Sequence, residues 1–451
     1  MTLHSLLTER SSAAERRTRM KTDCFIKTTY ESSLLDERYD KYTHSSGLEV
    51  YVFPKKFSTT YALFGVKYGS INNSFFKDGK KITVPDGIAH FLEHKLFFNE
   101  DGSDSFERFS ELGCDPNAYT SFNKTAYLFS CTDNLLPSLA ELITFVTHPY
   151  FTPESVASEL GIIGEEIRMY DDNPGDRCFY GMLEGMYKNH SIRKNICGSQ
   201  SSIARISADT LYDCYNAFYK PSNMALIVCG NVNADDVLSV IDKNLPTDFC
   251  GDAVGIINEN TIEERTAYRE YVEQSMQVSK PLFNIGFKDI DISKNPLERQ
   301  KKDAVMAILN EMLFSRAGEL YSDLVENKFI SPSWSYGYTI SETFAYNSIA
   351  GEANEPKLVL EKIFSHLEKT RAEGFCDEDF HRAKRVMYAE AVRLFDSVES
   401  IANTLFSFVC EDASIFEYAD ALDSVTLDDV KEAFKNSFDR STVTLSVIKS
   451  L

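Results

Sequence analysis

The chain carries the same ending twice. Residues 206–232 read ISADTLYDCYNAFYKPSNMALIVCGNV, and residues 425–450 read VTLDDVKEAFKNSFDRSTVTLSVIKS. Each is a Ser/Thr-capped helix, a turn preceded by an aromatic residue, and a β-rich strand. FLEHKLF at 91–97 has a matching counterpart, ILNEMLF, at 308–314. A duplicated chain folds as two copies of one supersecondary design. Under this pairing His90, Glu93 and His94 fall on Ala307, Asn310 and Glu311, so only the first copy could bind metal.

Within each copy, strands and helices come in clusters. LEVYVF (48–53), TYALFGVKYG (60–69) and NAYTSFNKTAYLFSC (117–131) are rich in β-branched and aromatic residues, and two long helical patterns follow, the second ending before Pro174. Clustering without strict βαβ alternation predicts an α+β fold. The segment 245–265 lacks periodicity and holds Pro, Gly and Asn, which makes it the expected linker between domains at 23–244 and 266–451. Residues 1–22 have no apolar core to act as a secretory signal, and are expected to be a tail or the product of a start placed too early, with Met20 as the alternative start.

A net charge of −21 argues against nucleic acid or anionic lipid as the main partner, because either would need a basic face. No apolar run reaches the ~18 residues of a membrane span. The ten cysteines are scattered singly with no CxxC, the usage of reduced thiols, so a cytoplasmic location is expected.

The chemistry centres on GIAHFLEHKLF. His90 and His94 stand at i and i+4, one turn apart on one helical face, and two imidazoles so placed can hold one zinc ion. Asp86, after Pro85, is the expected N-cap. Glu93 projects on the same side, where a carboxylate can act as general base on metal-bound water. The third ligand is expected in SELGIIGEEIRMY, roughly seventy residues on. There Glu159 and Glu166 share a face beside the apolar stripe Leu160, Ile163, Ile167 and Tyr170. Carboxylates bordering a buried stripe are costly unless a metal or its surroundings pairs with them. Glu165 points away and is expected to be solvated.

These motifs resemble the pitrilysin/insulysin family of zinc metallopeptidases, the inverzincins, and in particular its short-chain branch, which includes mitochondrial processing peptidase and small bacterial peptidases. The resemblance implies zinc bound by His90, His94 and Glu166, with Glu93 as the base and Glu159 as the accompanying acidic residue. It implies that Asn117, Ala118 and Tyr119 form an edge strand that pairs with the substrate backbone. The implied fold is a clamshell half: two similar domains, each a mixed, mainly antiparallel sheet covered by helices on one face. The implied activity is endopeptidase action on small or unfolded peptides inside a closed chamber of two chains.

One departure stands out. Self-sufficient members carry an Arg and a Tyr in the second domain, and the matching positions here are Val325 and Pro332. A heterodimer is therefore expected, in which a related partner without zinc supplies the pair; a homodimer is the alternative. Two further readings stay open: a non-catalytic scaffold subunit, and a protease dedicated to one precursor peptide.

Overall fold

The computed structural model describes residues 16–19, 24–77, 79–253 and 263–451. The first half contributes strands β1 (Arg16–Arg19), β2 (Phe25–Ser32), β3 (Glu37–His44), β4 (Glu49–Pro54) and β5 (Thr60–Val66). A small hairpin, β6 (Ser74–Lys77) and β7 (Lys80–Thr83), leads into helices α1 (Ile88–Leu96) and α2 (Ser105–Glu111). Next come β8 (Asp115–Thr120), β9 (Thr125–Cys131), α3 (Leu135–Thr147), α4 (Pro153–Asp171) and α5 (Pro174–Met186). The half closes with α6 (Gln200–Ile203), α7 (Ala208–Phe218), β10 (Met224–Gly230) and α8 (Ala234–Asn244).

The second half begins with β11 (Tyr271–Met276), β12 (Leu282–Asp289), α9 (Pro296–Phe314) and α10 (Glu319–Glu326). It continues through β13 (Trp334–Ile340), β14 (Ala345–Glu352), α11 (Pro356–Glu373), α12 (Asp377–Arg393) and α13 (Val398–Cys410). Helices α14 (Ile415–Ser424) and α15 (Leu427–Asn436) precede the last strand, β15 (Val443–Ser450).

The duplication is visible in the sheets. The first has the order β1-β2-β3-β4-β10-β5-β9-β8, and the second β11-β15-β12-β14-β13. In both, one parallel pair (β4 with β10, β11 with β15) is followed by three antiparallel pairs ending on β8 or β13, each an edge free of a further strand among the described residues. The first copy adds β1, β2 and β3 beside β4. Of the expected N-terminal tail, Arg16–Arg19 pairs with β2 and the rest lies outside the described residues, as does 254–262 of the expected linker.

Each sheet has helices of its own half on one face. Ala62, Phe64, Tyr127, Phe129, Leu226 and Val228 point into a core shared with α1, α3 and α7. The alternate residues Tyr61, Leu63, Leu128 and Ile227 point the other way, and there they meet Ile401, Leu405 and Phe406 of α13, from the second half. Contact is close enough to need glycine: a Cβ on Gly65 would stand 2.1 Å from Phe406 Cζ. The exchange is reciprocal. Helix α5 of the first half lies on the second sheet, where Tyr187 just beyond it donates to the Ala345 carbonyl at 2.8 Å and Met182 and Met186 pack near Tyr346. A boundary at 245–265 thus separates the sheets but not the packing units. Strands with two apolar faces need cover on both, and each half supplies a helix to the other.

None of the ten cysteines forms a disulfide. Among the described residues no helix is long and apolar enough to cross a membrane.

Candidate metal centre

Helix α1 opens differently from the sequence expectation. Its N-cap is Gly87, at φ 91°, a left-handed conformation that suits glycine. Asp86 is displaced from the cap because its carboxylate is engaged elsewhere, accepting from Asn73 Nδ2 at 2.7 Å and Lys194 Nζ at 2.9 Å. The helix then runs almost wholly buried against the sheet, with His90 and Glu93 inside and His94 at the margin. Their rings lie 4.6 Å apart, centroid to centroid.

Helix α4 crosses α1 through its buried residues Ile163 and Ile167, with Leu160 and Tyr170 packed partly against the core. This docking brings both glutamates to the histidines. Glu166 Oε1 lies 3.5 Å from His90 Nε2, and its Oε2 lies 3.4 Å from His94 Nε2. Glu159 takes the far side of the His94 ring, with Oε1 3.1 Å from Nδ1. Its other oxygen accepts from the buried Lys95 ammonium at 3.2 Å. Glu165 faces outward, exposed, and pairs with Arg168.

The donors fit a metal ion. A tetrahedral zinc with arms of ~2.0–2.1 Å separates its ligand atoms by about 3.4 Å, close to both Nε2–carboxylate distances. One donor atom each from His90, His94 and Glu166 falls within 4.8 Å of the other two. Among the described residues His90 Nδ1 is buried with no hydrogen-bonding partner, whereas Nε2 has Glu166 at 3.5 Å and the Cys197 sulfur at 3.8 Å. Two imidazoles and a carboxylate, with an acidic group on the second nitrogen of one imidazole, resemble in composition the donor sets of catalytic zinc sites, whereas structural sites are richer in cysteine.

The electrostatics agree. Hydrogen bonds from His90 and His94 hold the Glu166 carboxyl well below the usual range. Burial opposes protonation of His94, yet Glu159 and Glu166 on its two nitrogens lift it to about 10. Glu159 is depressed against its own burial by His94 and Lys95. Glu93 moves the other way: burial raises it.

Glu93 is steered from the sheet. Thr120 Oγ1 donates to its Oε2 at 2.7 Å. Thr120 ends β8, the free edge, which carries Asn117, Ala118 and Tyr119 along a cleft of about 700 Å³ shared with the metal donors. Sequence reasoning missed Thr120, Lys95 and Cys197. Thr120 was readable in principle, since it alternates with Ala118 on one face of the strand.

Residues 78–200 match the insulinase family, peptidase family M16, and residues 205–387 match the peptidase M16 inactive domain. The chain is 41% identical over 415 residues to YmfH of Bacillus subtilis (strain 168), named as an uncharacterized zinc protease, spanning 90% of this chain and 96% of that one. The chain belongs to family M16. Among solved structures, an M16-like peptidase from Alicyclobacillus acidocaldarius superposes with a TM-score of 0.87 at 29% identity, over 95% of this chain and 99% of that one. A protease from Helicobacter pylori shares the fold, with a TM-score of 0.79 at 18% identity over 92% of this chain and all of that one.

In the second copy Asn310 and Glu311 stand in the places of Glu93 and His94, and among the described residues no group of metal donors forms there. Asn310 Nδ2 donates to Asn347 Oδ1 at 2.9 Å. Glu311, in the place of His94, accepts from Tyr336 at 2.6 Å and pairs with Arg382 of α12 at 3.2 Å. An ion pair fills the position that histidine and Glu159 occupy in the first copy. Val325 packs on the second core and Pro332 precedes β13, so neither position offers a guanidinium or a phenol.

Proposed function

We propose that this chain is a zinc-dependent endopeptidase for small or unfolded peptides, and the catalytic subunit of a two-chain enzyme. The observation that carries this reading is the convergence, in one cleft, of three metal donors, a buried carboxylate that is not among them, and an unpaired strand edge. His90, His94 and Glu166 would hold the zinc, which when bound supplies Lewis acidity to water and to the scissile carbonyl.

This chain's own residues do the rest. A peptide adds to β8 as a further strand, so its backbone is held whatever its sequence. Thr120 fixes one oxygen of Glu93 and leaves the other to take the proton of the attacking water. Glu93 then passes that proton to the leaving amine. Its pKa, raised by burial, brings it nearer the operating pH, where a base both accepts and releases protons. Glu159 and Lys95 hold the His94 ring in place.

The absence of Arg and Tyr at 325 and 332 supports a heterodimer, in which a related chain without zinc donors supplies both groups. Tyr336 and Arg382 do not replace them, because Glu311 engages both. The reduced thiols are the ground for assigning the enzyme to the cytoplasm. The test is hydrolysis of unstructured peptides by the purified chain alone and mixed with a related chain lacking HxxEH. Strong activity only in the mixture supports the reading. Full activity of the chain alone overturns its two-chain part, and bound zinc without hydrolysis in either case favours a scaffold.

A further inference from the structure

We infer that the second half supplies part of a substrate subsite: a cavity behind the edge strand β8, between it and α13, that takes a lysine or arginine side chain beside the cleaved bond. The inference rests on the peptidase reading above, because it needs a peptide lying along β8.

The register of β8 marks the cavity. Successive side chains of a strand point to opposite faces. Thr120 turns toward Glu93, and Ala118 packs on the core shared with α1, so these residues face the metal side. Asp115, Asn117 and Tyr119 alternate with them, and a cavity of about 290 Å³ opens against all three. Asn117 and Tyr119 also line the metal cleft, so the two cavities meet along the strand edge. A peptide that extends the sheet at β8 alternates in the same way. Of the two residues flanking the cleaved bond, one therefore turns its side chain to the metal face and the other to this cavity.

The walls select the side chain. Leu128 of β9, opposite Asn117 and buried, forms an apolar lining with Tyr61 and Tyr119. The far wall belongs to the second half, with Glu399 in the first turn of α13 and Asn403 one turn on. Asn403 Nδ2 donates to Tyr61 Oη and to the Glu399 carbonyl, both at 3.0 Å, which leaves Oδ1 as an acceptor. Asp115 and Glu399 are exposed at the rim, and no described lysine, arginine or histidine lines the cavity. A basic side chain suits this arrangement: its aliphatic stem lies on Leu128 and the tyrosine rings, and its cationic head meets acceptors. An acidic side chain would meet acceptors alone, so it is selected against.

The test is a set of fluorescein-labelled, unstructured peptides with lysine, norleucine or glutamate at each flanking position in turn, given to the full-length protein in whichever subunit pairing is active. At one flanking position and not the other, kcat/KM for lysine should exceed that for norleucine about tenfold, the combined effect of two exposed ion pairs. Glu399→Gln should lower that ratio to about threefold, and Glu399→Lys combined with Asp115→Asn should make glutamate the preferred residue. A ratio near one at both positions, or a ratio unchanged in Glu399→Gln, overturns the subsite, while hydrolysis of the norleucine peptides leaves the peptidase reading standing. If no peptide is cut, the peptidase reading fails, and fluorescence anisotropy of the same peptides reads the subsite by itself. Tighter binding of lysine than of norleucine, weakened in Glu399→Gln, then supports it, and equal binding overturns it.

Discussion

The Thr120 hydroxyl donates to Glu93 Oε2 at 2.7 Å, joining the last residue of the free edge strand to the carboxylate proposed as base. On the proposed reading, the strand that takes up substrate also aims the base that activates the attacking water. Replacing Thr120 by valine keeps the shape and removes the donor. A hydrogen bond to a charged group contributes ~1.5–3 kcal/mol, so kcat should fall about 10–100-fold with zinc content unchanged. Steady-state kinetics beside metal analysis check this.

Glu159 serves His94 and Lys95 together. Glu159→Gln should weaken zinc binding about 10–100-fold, read by competition with a chromophoric chelator. It also strands the buried Lys95 ammonium, at a cost of about 3 kcal/mol in urea unfolding. Adding Lys95→Met to Glu159→Gln should restore much of the stability and none of the zinc affinity. Recovery of both would contradict the division of roles.

Gly65 marks the contact between the first sheet and the second half's α13. Gly65→Ala should destabilise by about 2 kcal/mol, because Phe406 is fully buried and has nowhere to move. Phe406→Leu costs stability by itself, yet in the Gly65→Ala background it should cost less. A double-mutant cycle with no coupling would disprove the contact.

His190 gives a pH dependence away from the metal. Burial lowers its pKa from 6.5 to about 4. The unfolded state therefore binds the proton first, so the stabilising contribution is full above pH 6.5 and is lost as pH falls toward 4. Between pH 7 and 4.5 the loss is about 2–3 kcal/mol. Urea midpoints of the chelated protein should fall more steeply for wild type than for His190→Gln over that range. Parallel slopes would contradict it.

The site was legible because its chemistry is local. HxxEH places two imidazoles and a carboxylate on one helix by period alone, and the apolar stripe beside Glu166 foretold how α4 docks. The repeated endings likewise foretold two sheets of one topology. The exchange of α5 and α13 was not legible, since an amphipathic helix shows that it buries a face and not which sheet receives it. The cap was missed because Asp86 has competing partners, Asn73 and Lys194, brought near only by the fold. Thr120 and Lys95 gain their roles from residues far away in sequence, Thr120 from the β8 edge facing α1 and Lys95 from Glu159.

The most direct measurement is peptide hydrolysis and zinc content of Glu93→Gln beside wild type, in whichever subunit pairing is active. The account predicts unchanged zinc and a kcat lower by about 100–10,000-fold. Hydrolysis by Glu93→Gln at the wild-type rate, or loss of zinc along with activity, would contradict a base that stands beside the metal without holding it.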